Sequence, residues 1–257
     1  MNRIKGQLAL ISGASAGIGR ACAQRLAAEG VHLALWARRG DRLGELAAEL
    51  TRAHGVRVTT ASVDVRNRAA VEKAATALLK DGVPDILLNI AGLAAGFART
   101  QDADPDDWDR MIDTNVKGLL YVTRAILPSM IARNSGHIVN LGSLAGHQPY
   151  PMGNVYNASK AAVKALTDAI NMDLLGTRIR LASVDPGHVE TEFAVVRFAG
   201  DAARAKKVYE GFVPLTPDDV ADVIAYILNQ PENVNILDVV MMSTAQRSVH
   251  HVHRETK

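Results

Sequence analysis

The sequence predicts an α/β fold: a single-domain, doubly wound Rossmann-type parallel sheet of about seven strands with helices on both faces. Short apolar runs alternate with longer amphipathic runs along the 257 residues, as expected of parallel strands joined by helices. The strand-like runs are almost wholly apolar, which indicates that the sheet is buried on both sides. A glycine-rich turn at 13–19 follows the first apolar run, where a dinucleotide-binding fold has its phosphate turn.

The N-terminal half supplies the first elements of this sheet. Apolar runs at 8–11, 31–36, 56–63 and 85–89 predict strands. Amphipathic runs at 18–29, 41–54 and 68–80 predict the helices between them. Gly30 and Gly55 end the first two helices, and Asp41 is the expected N-cap of the second.

The C-terminal half continues the alternation. A helical region at 106–133, interrupted near Pro128, precedes a strand at 137–141. A helix at 155–175, a strand at 179–184, a helix at 218–228 and a strand at 235–240 follow. Residues 186–216 lack clear periodicity, so we expect a long loop with helical pieces that acts as a substrate lid. We expect residues 1–257 to form one dinucleotide-binding and catalytic domain.

The composition excludes several classes of function. A formal net charge of +2, without blocks of like charge, predicts no nucleic-acid partner. The chain has neither a long apolar run nor a signal-peptide pattern, which predicts no membrane span and a cytoplasmic protein. Cys22 is the single cysteine, so an internal disulfide is excluded, and we expect a buried, inert thiol. His250, His251 and His253 faintly resemble a metal-binding tract, but we expect a frayed or interface-docked terminus and no metal site.

The glycine-rich turn predicts a phosphate-binding site. Gly13, Gly17 and Gly19 let the backbone turn sharply and approach a pyrophosphate. The free N–H groups at the start of the following helix favour negative charge. Ser15 and Ile18 belong to the same turn and complete this part of the predicted cofactor site.

The end of the second predicted strand indicates which dinucleotide binds. Arg38 and Arg39 occupy it, and no acid occurs between Val31 and Gly40. A carboxylate there would bind a ribose 2′-hydroxyl, whereas the planar fork of arginine accepts a 2′-phosphate. We therefore predict that NADP(H) is the cofactor. Arg38 is the first candidate for the contact with the 2′-phosphate, and Arg39 is the second. The alternative is that both arginines are solvated surface charges.

Two further strand ends predict cofactor contacts. Asp64 and Val65 close the third strand, where a carboxylate could accept a hydrogen bond from the adenine amino group. Asn89, Ala91 and Gly92 follow the fourth strand, and small residues there would let the cofactor lie against the strand ends. Either segment could instead be an ordinary loop.

Tyr156 and Lys160 lie four residues apart in a predicted helix, so their side chains share one face. A phenol titrates near pH 10, and a neighbouring ammonium favours the phenolate. We expect Lys160 to lower the pKa of Tyr156, so that the pair can exchange a proton with a substrate oxygen near pH 7. Taken alone, this spacing is more often found between surface residues of a helix.

Together, these motifs resemble the short-chain dehydrogenase/reductase family over nearly the whole chain. Ser12 stands where that family usually has threonine, and Ile90 replaces the second asparagine of its Asn-Asn-Ala-Gly motif, so one polar contact of the central strand is expected to be missing. The matching segments are 12–19, 89–92, Asn115, Gly142-Ser143, 156–160 and Pro186-Gly187.

The resemblance implies a catalytic set. Tyr156 would be the general acid/base, and Lys160 would lower its pKa and hold the nicotinamide ribose hydroxyls. Ser143 would bind the substrate oxygen, and Asn115 would help to hold a water-mediated proton relay to Lys160. The implied reaction is hydride transfer between nicotinamide and an alcohol or carbonyl. The segment flanking the nicotinamide carboxamide would include Pro186, Gly187, Val189 and Thr191.

Within the family, the chain is similar to the NADP-dependent 3-hydroxy acid dehydrogenases, which include serine and allo-threonine dehydrogenases. The similar segments are 111–115, 153–156, 191–193, 196–198, 215–217 and 234–236. This likeness implies oxidation of serine, allo-threonine, 3-hydroxypropionate or another small 3-hydroxy acid, or reduction of the matching semialdehyde. An anionic substrate needs a cation, for which Arg197 is the candidate. The other expected pocket residues are Ser143, His147, Tyr150, Met152, His188 and Phe193.

Other functions stay open. A broader ketone or 3-oxoacyl reductase would have the same catalytic residues, and a non-catalytic NADPH-binding regulator would have the same fold. Family members are often tetramers, so we expect a homo-oligomer, either a tetramer or a dimer. The expected ligand is a small alcohol or carbonyl compound.

Overall fold

A computed structural model describes residues 2–255 and confirms the predicted fold class. Seven parallel strands form one sheet in the order β3-β2-β1-β4-β5-β6-β7. Because β1 and β4 are central neighbours, the strand order reverses there and a crevice opens at the carboxyl ends of the strands. The strands are β1 (Leu8–Ser12), β2 (His32–Ala37), β3 (Val58–Ser62), β4 (Ile86–Asn89), β5 (Gly136–Leu141), β6 (Ile179–Pro186) and β7 (Asp238–Met241).

Helices cover both faces of the sheet. In chain order they are α1 (Gly17–Ala28), α2 (Gly40–His54), α3 (Arg68–Asp81), α4 (Pro105–Ile112), α5 (Leu119–Arg133), α6 (Leu144–His147), α7 (Asn154–Asp173), α8 (Phe193–Arg197), α9 (Ala202–Lys207) and α10 (Pro217–Leu228). Short turns of other helix types occur at Thr100–Asp102 and Asp113–Gly118. Within residues 2–255, none of the helices combines the length and the apolarity that a membrane crossing requires.

Two apolar clusters hold the layers together, one on each face of the sheet. Ile11 of β1 packs with residues of α1, α2 and α10, whereas Leu10 packs with residues of α3 and α5. Consecutive strand residues point to opposite faces, and both side chains are fully buried. Burying a side chain of this size contributes about 1.5–3 kcal/mol. Thr59 and Thr60 are exposed because β3 lies at the sheet edge, so burial on both sides describes the central strands.

Several predicted boundaries were wrong. Helix α5 continues through Pro128, and the interruption of this helical region is the π-helical turn Asp113–Gly118. A π-turn accommodates an extra residue inside a helix and has no simple sequence signature. Asp41 lies in the first turn of α2, whose N-cap is Arg39. The last strand begins at Asp238 rather than at residue 235.

Residues 253–255 are bound to the chain itself, so the expected fraying is wrong for them, whereas docking at an interface is untested and stays a prediction. The N–H of His253 donates to the Ala245 carbonyl at 2.8 Å, and that of Glu255 donates to the Gly211 carbonyl at 2.7 Å. The guanidinium of Arg254 donates to the carbonyl of Val208 at 3.0 Å. These bonds attach residues 253–255 to Ala245 and to the segment that follows α9.

Candidate active site

The turn between β1 and α1 forms one wall of a cleft at the crevice. Gly13 has φ +74°, and a Cβ at this position would lie 2.8 Å from the Cα of Ala91. Only glycine allows the two backbones to approach this closely. The Ser12 hydroxyl accepts the N–H groups of Ile90 at 3.2 Å and Ala91 at 3.3 Å. Serine therefore joins the turn to the segment after β4 at the position where threonine was expected.

Most of the predicted cofactor residues meet in this cleft, because the carboxyl ends of β1 to β4 all face it. Thr114 and Glu192 also line it, and sequence analysis missed both. The predicted residues in the lining are Gly13, Ser15, Gly17, Ile18, Gly19, Arg38, Arg39, Asp64, Val65, Ala91, Gly92 and Thr191.

Asn89 was expected in the cleft but lies outside its lining. Its side-chain Nδ2 donates to Thr123 Oγ1 and to Asn140 Oδ1, both at 2.9 Å. All three side chains are buried, so Asn89 joins β4 to β5 and α5 instead of facing a ligand. Of the other predicted cofactor residues outside this lining, Pro186 ends β6, Lys160 is buried in α7, and Tyr156, Gly187 and Val189 line an adjoining cavity.

The arginine end of the cleft contains an ion-pair group. The Nε of Arg39 donates to Ser15 Oγ at 3.3 Å, and its Nη1 lies 2.9 Å from Glu192 Oε2. The other oxygen of Glu192 lies 2.8 Å from Arg42 Nη1. Hydrogen bonds from Arg39 and Arg42 lower the pKa of Glu192. Through Arg39, the 186–216 segment is therefore joined to the glycine-rich turn: Glu192 pairs with Arg39, and Arg39 contacts Ser15.

Asp64 lies in the cleft lining but is paired within its own loop. The Nη2 of Arg66 is 2.6 Å from Asp64 Oδ2, and this hydrogen bond is the main reason that the pKa of Asp64 is lowered. The expected contact with an adenine amino group is untested and stays a prediction.

Ser143 and Tyr156 meet in the adjoining cavity. Ser143 is the N-cap of α6, and its Oγ accepts the N–H of Ala145 at 3.1 Å. Tyr156 on α7 is only 8% exposed. Burial raises the pKa of Tyr156 well above its ordinary value, and a hydrogen bond with Ser143 opposes this only in part. The phenol is therefore protonated at neutral pH and can donate a hydrogen bond.

The ammonium of Lys160 is bound to the backbone of β5. Its Nζ donates to the Leu141 carbonyl at 2.7 Å, and burial lowers the pKa of the ammonium to about 8. The cation that favours the Tyr156 phenolate is Arg197, whose guanidinium carbon is 5.7 Å from the ring centroid. Burial thus dominates the pKa of Tyr156 in this structure, and the expected lowering of that pKa by Lys160 stays a prediction.

Asn115 lies in the π-helical turn, and its amide is fully engaged. Its Oδ1 accepts the Leu93 N–H at 2.8 Å, and its Nδ2 donates to the Leu93 carbonyl at 2.8 Å and to Ser159 Oγ at 3.0 Å. The side chain therefore joins the segment after β4 to α7. Its part in a proton relay stays a prediction.

The predicted substrate residues line this second cavity, with one exception. Ser143, Tyr150, Met152, His188, Phe193 and Arg197 are in the lining. His147 was wrongly placed there. It lies at the end of α6, with Nε2 3.5 Å from Asp185 Oδ2 and 4.0 Å from Asp238 Oδ2. Helix α6 directs the side chain of His147 toward β6 and β7.

Arg197 is fixed inside the cavity by three neighbours. Its Nη1 donates to the Tyr150 hydroxyl at 2.7 Å, and its Nε donates to the Gly96 carbonyl at 3.3 Å. The guanidinium also lies 4.7 Å from the centroid of the Phe97 ring. An arginine held on an aromatic face in this way is a preorganised site for an anion.

Sequence analysis missed three other cations of this cavity. Arg204 and Lys207 come from α9, and Arg254 comes from the C-terminal segment. Among residues 2–255, no aspartate or glutamate belongs to the cavity lining. No local pattern places α9 or the C-terminal segment beside Ser143, because both are distant from it in the chain.

His147, Asp185 and Asp238 bring one potential metal-ligand atom each within 4.8 Å of one another. Lys164 lies beside this group, with Nζ 3.4 Å from Asp238 Oδ2. An ammonium already supplies positive charge at this place, so we describe the four residues as a charge cluster.

The sequence and the fold are both similar to those of known proteins. The family described as short chain dehydrogenase matches residues 7–201. The NADP-dependent 3-hydroxy acid dehydrogenase of Escherichia coli (strain K12) is 44% identical over 241 residues, which cover 93% of this chain and 96% of that protein. Sulfoacetaldehyde reductase 2 of Chromohalobacter salexigens is 45% identical over 93% of this chain and 95% of its own.

A solved structure shows the same architecture. The closed form of a serine dehydrogenase complexed with NADP+ superimposes with a TM-score of 0.91 at 43% identity. The match covers 96% of this chain and 100% of that chain.

Proposed function

Because the chain belongs to the short chain dehydrogenase family, we propose that it transfers a hydride between NADP(H) and a small 3-hydroxy acid, with the matching semialdehyde as the partner of the acid. The observation that supports this most directly is one cavity in which Ser143 and Tyr156 adjoin the fixed cation Arg197. Similarity to 3-hydroxy acid dehydrogenases supports the same reaction.

The cleft fits NADP(H). The close approach of Gly13 to Ala91 holds the glycine-rich turn against the segment after β4, and the start of α1 in the same lining can bind a pyrophosphate. Arg38 and Arg39 lie at the end of β2, where guanidinium groups can pair with a 2′-phosphate. When bound, nicotinamide supplies or accepts the hydride.

The residues of this chain would orient the substrate and move the proton. Ser143 and Tyr156 would donate hydrogen bonds to the carbonyl oxygen and polarise it. Tyr156, whose phenol is protonated at neutral pH and whose pKa burial raises further, would give its proton to the developing alkoxide. Lys160 would hold the nicotinamide ribose from the same face of α7. Oxidation of the alcohol would require the phenolate, so we expect it to accelerate at alkaline pH.

The positive charges of the cavity indicate that the substrate is an anion. Arg197 would bind the carboxylate, and Arg204, Lys207 and Arg254 would add positive potential. A sulfonate presents the same negative charge, and a relative of similar identity is a sulfoacetaldehyde reductase. Sulfoacetaldehyde is therefore the second candidate substrate. Neither a broader ketone or 3-oxoacyl reductase nor a regulator without turnover requires positive charge in this cavity.

The remaining parts of the proposal concern the lid, the assembly and the compartment. Residues 186–216 supply lining to both the cleft and the cavity, which supports a lid. Leu237 and Val240 at the β7 edge are 52% and 43% exposed, which supports a dimer or tetramer formed over that edge. Light scattering after size-exclusion chromatography tests the assembly. A cytoplasmic location agrees with the single, buried Cys22.

The test is a spectrophotometric substrate screen. Purified protein with NADPH is mixed with malonate semialdehyde, sulfoacetaldehyde and uncharged aldehydes and ketones of similar size, and absorbance at 340 nm is followed. We expect turnover of the anions and a much higher KM for the uncharged compounds. Turnover of uncharged ketones alone would favour the broader reductase, and tight NADPH binding without any turnover would favour the regulator.

A further inference from the structure

Asp185 is a buried carboxylate next to the candidate site that the proposed reaction does not use. It lies near the end of β6, is 0% exposed, and belongs to neither the cleft lining nor the cavity lining. Burying a carboxylate is unfavourable unless nearby groups compensate for the lost solvation. Its contacts therefore indicate what this side chain does.

The first contact is with the backbone of Ser143. Asp185 Oδ1 accepts the Ser143 N–H at 2.8 Å, and the preceding N–H, of Gly142, donates to the Val184 carbonyl at 2.9 Å. A Cβ at Gly142 would lie 1.7 Å from Asp185 Oδ1, so only glycine leaves room for the carboxylate. Strand β6 thus fixes the position of the Gly142-Ser143 backbone.

This anchor matters because α6 is short. Ser143 caps a helix of only four residues, too short to be stable without tertiary contacts. Its Oγ accepts the Ala145 N–H at 3.1 Å, which directs the hydroxyl. A shift of the Ser143 backbone would move that hydroxyl relative to Tyr156.

The second contact is electrostatic. The titratable groups that face Asp185 are His147 on α6, Asp238 on β7, and Tyr156 and Lys160 on α7; Lys164 pairs with Asp238. Burial raises the pKa of Asp185 to about 6, with Asp238 adding to this. Lys160 and Asp185 lie against adjacent residues of one backbone segment: Lys160 Nζ donates to the Leu141 carbonyl at 2.7 Å, and the next residue, Gly142, lies against Asp185 Oδ1. The negative charge of Asp185 accordingly opposes the lowering of the Lys160 pKa by burial.

We propose that Asp185 is a positioning residue, which anchors the Ser143 backbone and keeps Lys160 charged without touching substrate or cofactor. The kinetic part of this inference rests on the proposed function. Asp185 should therefore affect turnover in two separable ways, through the hydrogen bond to Ser143 and through its charge.

Two variants separate these effects. Asp185→Ala removes both the acceptor and the charge, and we expect kcat to fall about 10- to 100-fold with the KM for NADPH changed less than about twofold. Asp185→Asn keeps an acceptor for the Ser143 N–H and removes only the charge. We expect its kcat to stay within about threefold of wild type at pH 6.5, with the alkaline limb of the pH profile shifted down by about one unit.

The matched control is Asp168→Asn, which removes a carboxylate that pairs with Lys164 on the exposed side of α7. We expect its pH profile to coincide with that of wild type. Wild-type kcat in Asp185→Ala would overturn the anchoring role. Equal losses in both Asp185 variants would also overturn it, because Asp185→Asn keeps the acceptor. An unshifted alkaline limb in Asp185→Asn would overturn the charge role.

One readout does not need turnover. NMR of 13C-labelled lysine, assigned with Lys160→Arg, reports the pKa of Lys160 in wild type and in Asp185→Asn. A lower value in Asp185→Asn supports the inference, and an unchanged value contradicts it. Since this titration uses no substrate, failure of the proposed function would be visible separately, as a wild-type protein that turns over no carbonyl. Asp185→Asn also serves if Asp185→Ala fails to fold.

Discussion

The ring of Phe193 meets the ring of Tyr156 edge to face, with the centroids 5.5 Å apart. Phe193 begins α8 in the proposed lid and lines both the cleft and the cavity. The contact is part of the packing that leaves Tyr156 only 8% exposed, and burial is the main reason that the pKa of this phenol is raised. The packing therefore extends the protonated form of the phenol to more alkaline pH.

Tyr156→Phe should abolish turnover and leave NADPH binding intact, because only the phenolic hydroxyl is removed. The measurement is kcat by absorbance at 340 nm together with the Kd for NADPH by fluorescence titration. Tyr226→Phe is the control, since Tyr226 is 64% exposed on α10. Activity above about 1% of wild type would mean that another group supplies the proton.

Arg38→Ala should raise the KM for NADPH much more than that for NADH, since only NADPH has the 2′-phosphate. Loss of one charge-assisted contact of about 1.5–3 kcal/mol corresponds to a roughly 10- to 100-fold change. Arg39→Ala should have a smaller effect, because Arg39 is already paired with Glu192. Steady-state kinetics with both cofactors would exclude the 2′-phosphate role if the two KM values rose equally.

Glu192→Gln should lower the KM for NADPH, because it frees Arg39 and Arg42 from a competing carboxylate. Exposed ion pairs contribute about 0.2–1 kcal/mol, so we expect a change of about 1.4- to fivefold. Glu49→Gln, which breaks a surface pair with Arg20, is the control and should leave the KM unchanged. A higher KM in Glu192→Gln would show that the carboxylate assists cofactor binding.

Arg197→Met should raise the KM for anionic aldehydes by about 10-fold or more, as expected for loss of a partly buried charge-assisted contact. An uncharged aldehyde of similar size should be reduced with a KM nearly equal to that of wild type. The comparison uses initial rates at saturating NADPH. Equal effects on charged and uncharged substrates would assign Arg197 to packing against Phe97 and Tyr150 rather than to anion binding.

His137 should make the protein sensitive to acid. Burial lowers its pKa from 6.5 to about 3, so between these values the unfolded chain takes up a proton that the folded chain does not. The free energy of unfolding should therefore fall as the pH drops from about 6.5 towards 3. His137→Leu should reduce this slope by up to about 1.4 kcal/mol per pH unit, measured by urea denaturation. His54→Leu, at an exposed site, should keep the wild-type slope.

Local sequence patterns were enough to predict the main secondary-structure elements and most residues of the cofactor cleft. The alternation of apolar and amphipathic runs predicted the seven strands and the long helices, but not the short helix α6. Periodicity reports which side of a long element is buried. The glycines at 13–19 and the arginines at 38 and 39 meet because every parallel strand ends at the same edge of the sheet. Pro128 misled the prediction, since the packed helix continues through it and the break lies at the π-turn.

Contacts between distant segments could not be predicted in this way. The pairing of Glu192 with Arg39 joins residues 153 positions apart, and Arg254 reaches the cavity from the last residues that the structure describes. His147 was assigned to the pocket from its position after Ser143, but the turn of α6 directs it to Asp185. No local signal specifies such orientations.

The sequence by itself determined the order of the elements, the family and the residue types available for the reaction, because these depend on neighbours along the chain. Only the tertiary structure decided the raised pKa of Tyr156, the direction of Lys160 and the anchor at Asp185. The reason is physical: burial and the distance between charges set a pKa, and both arise only when α7, β6 and the 186–216 segment are packed together.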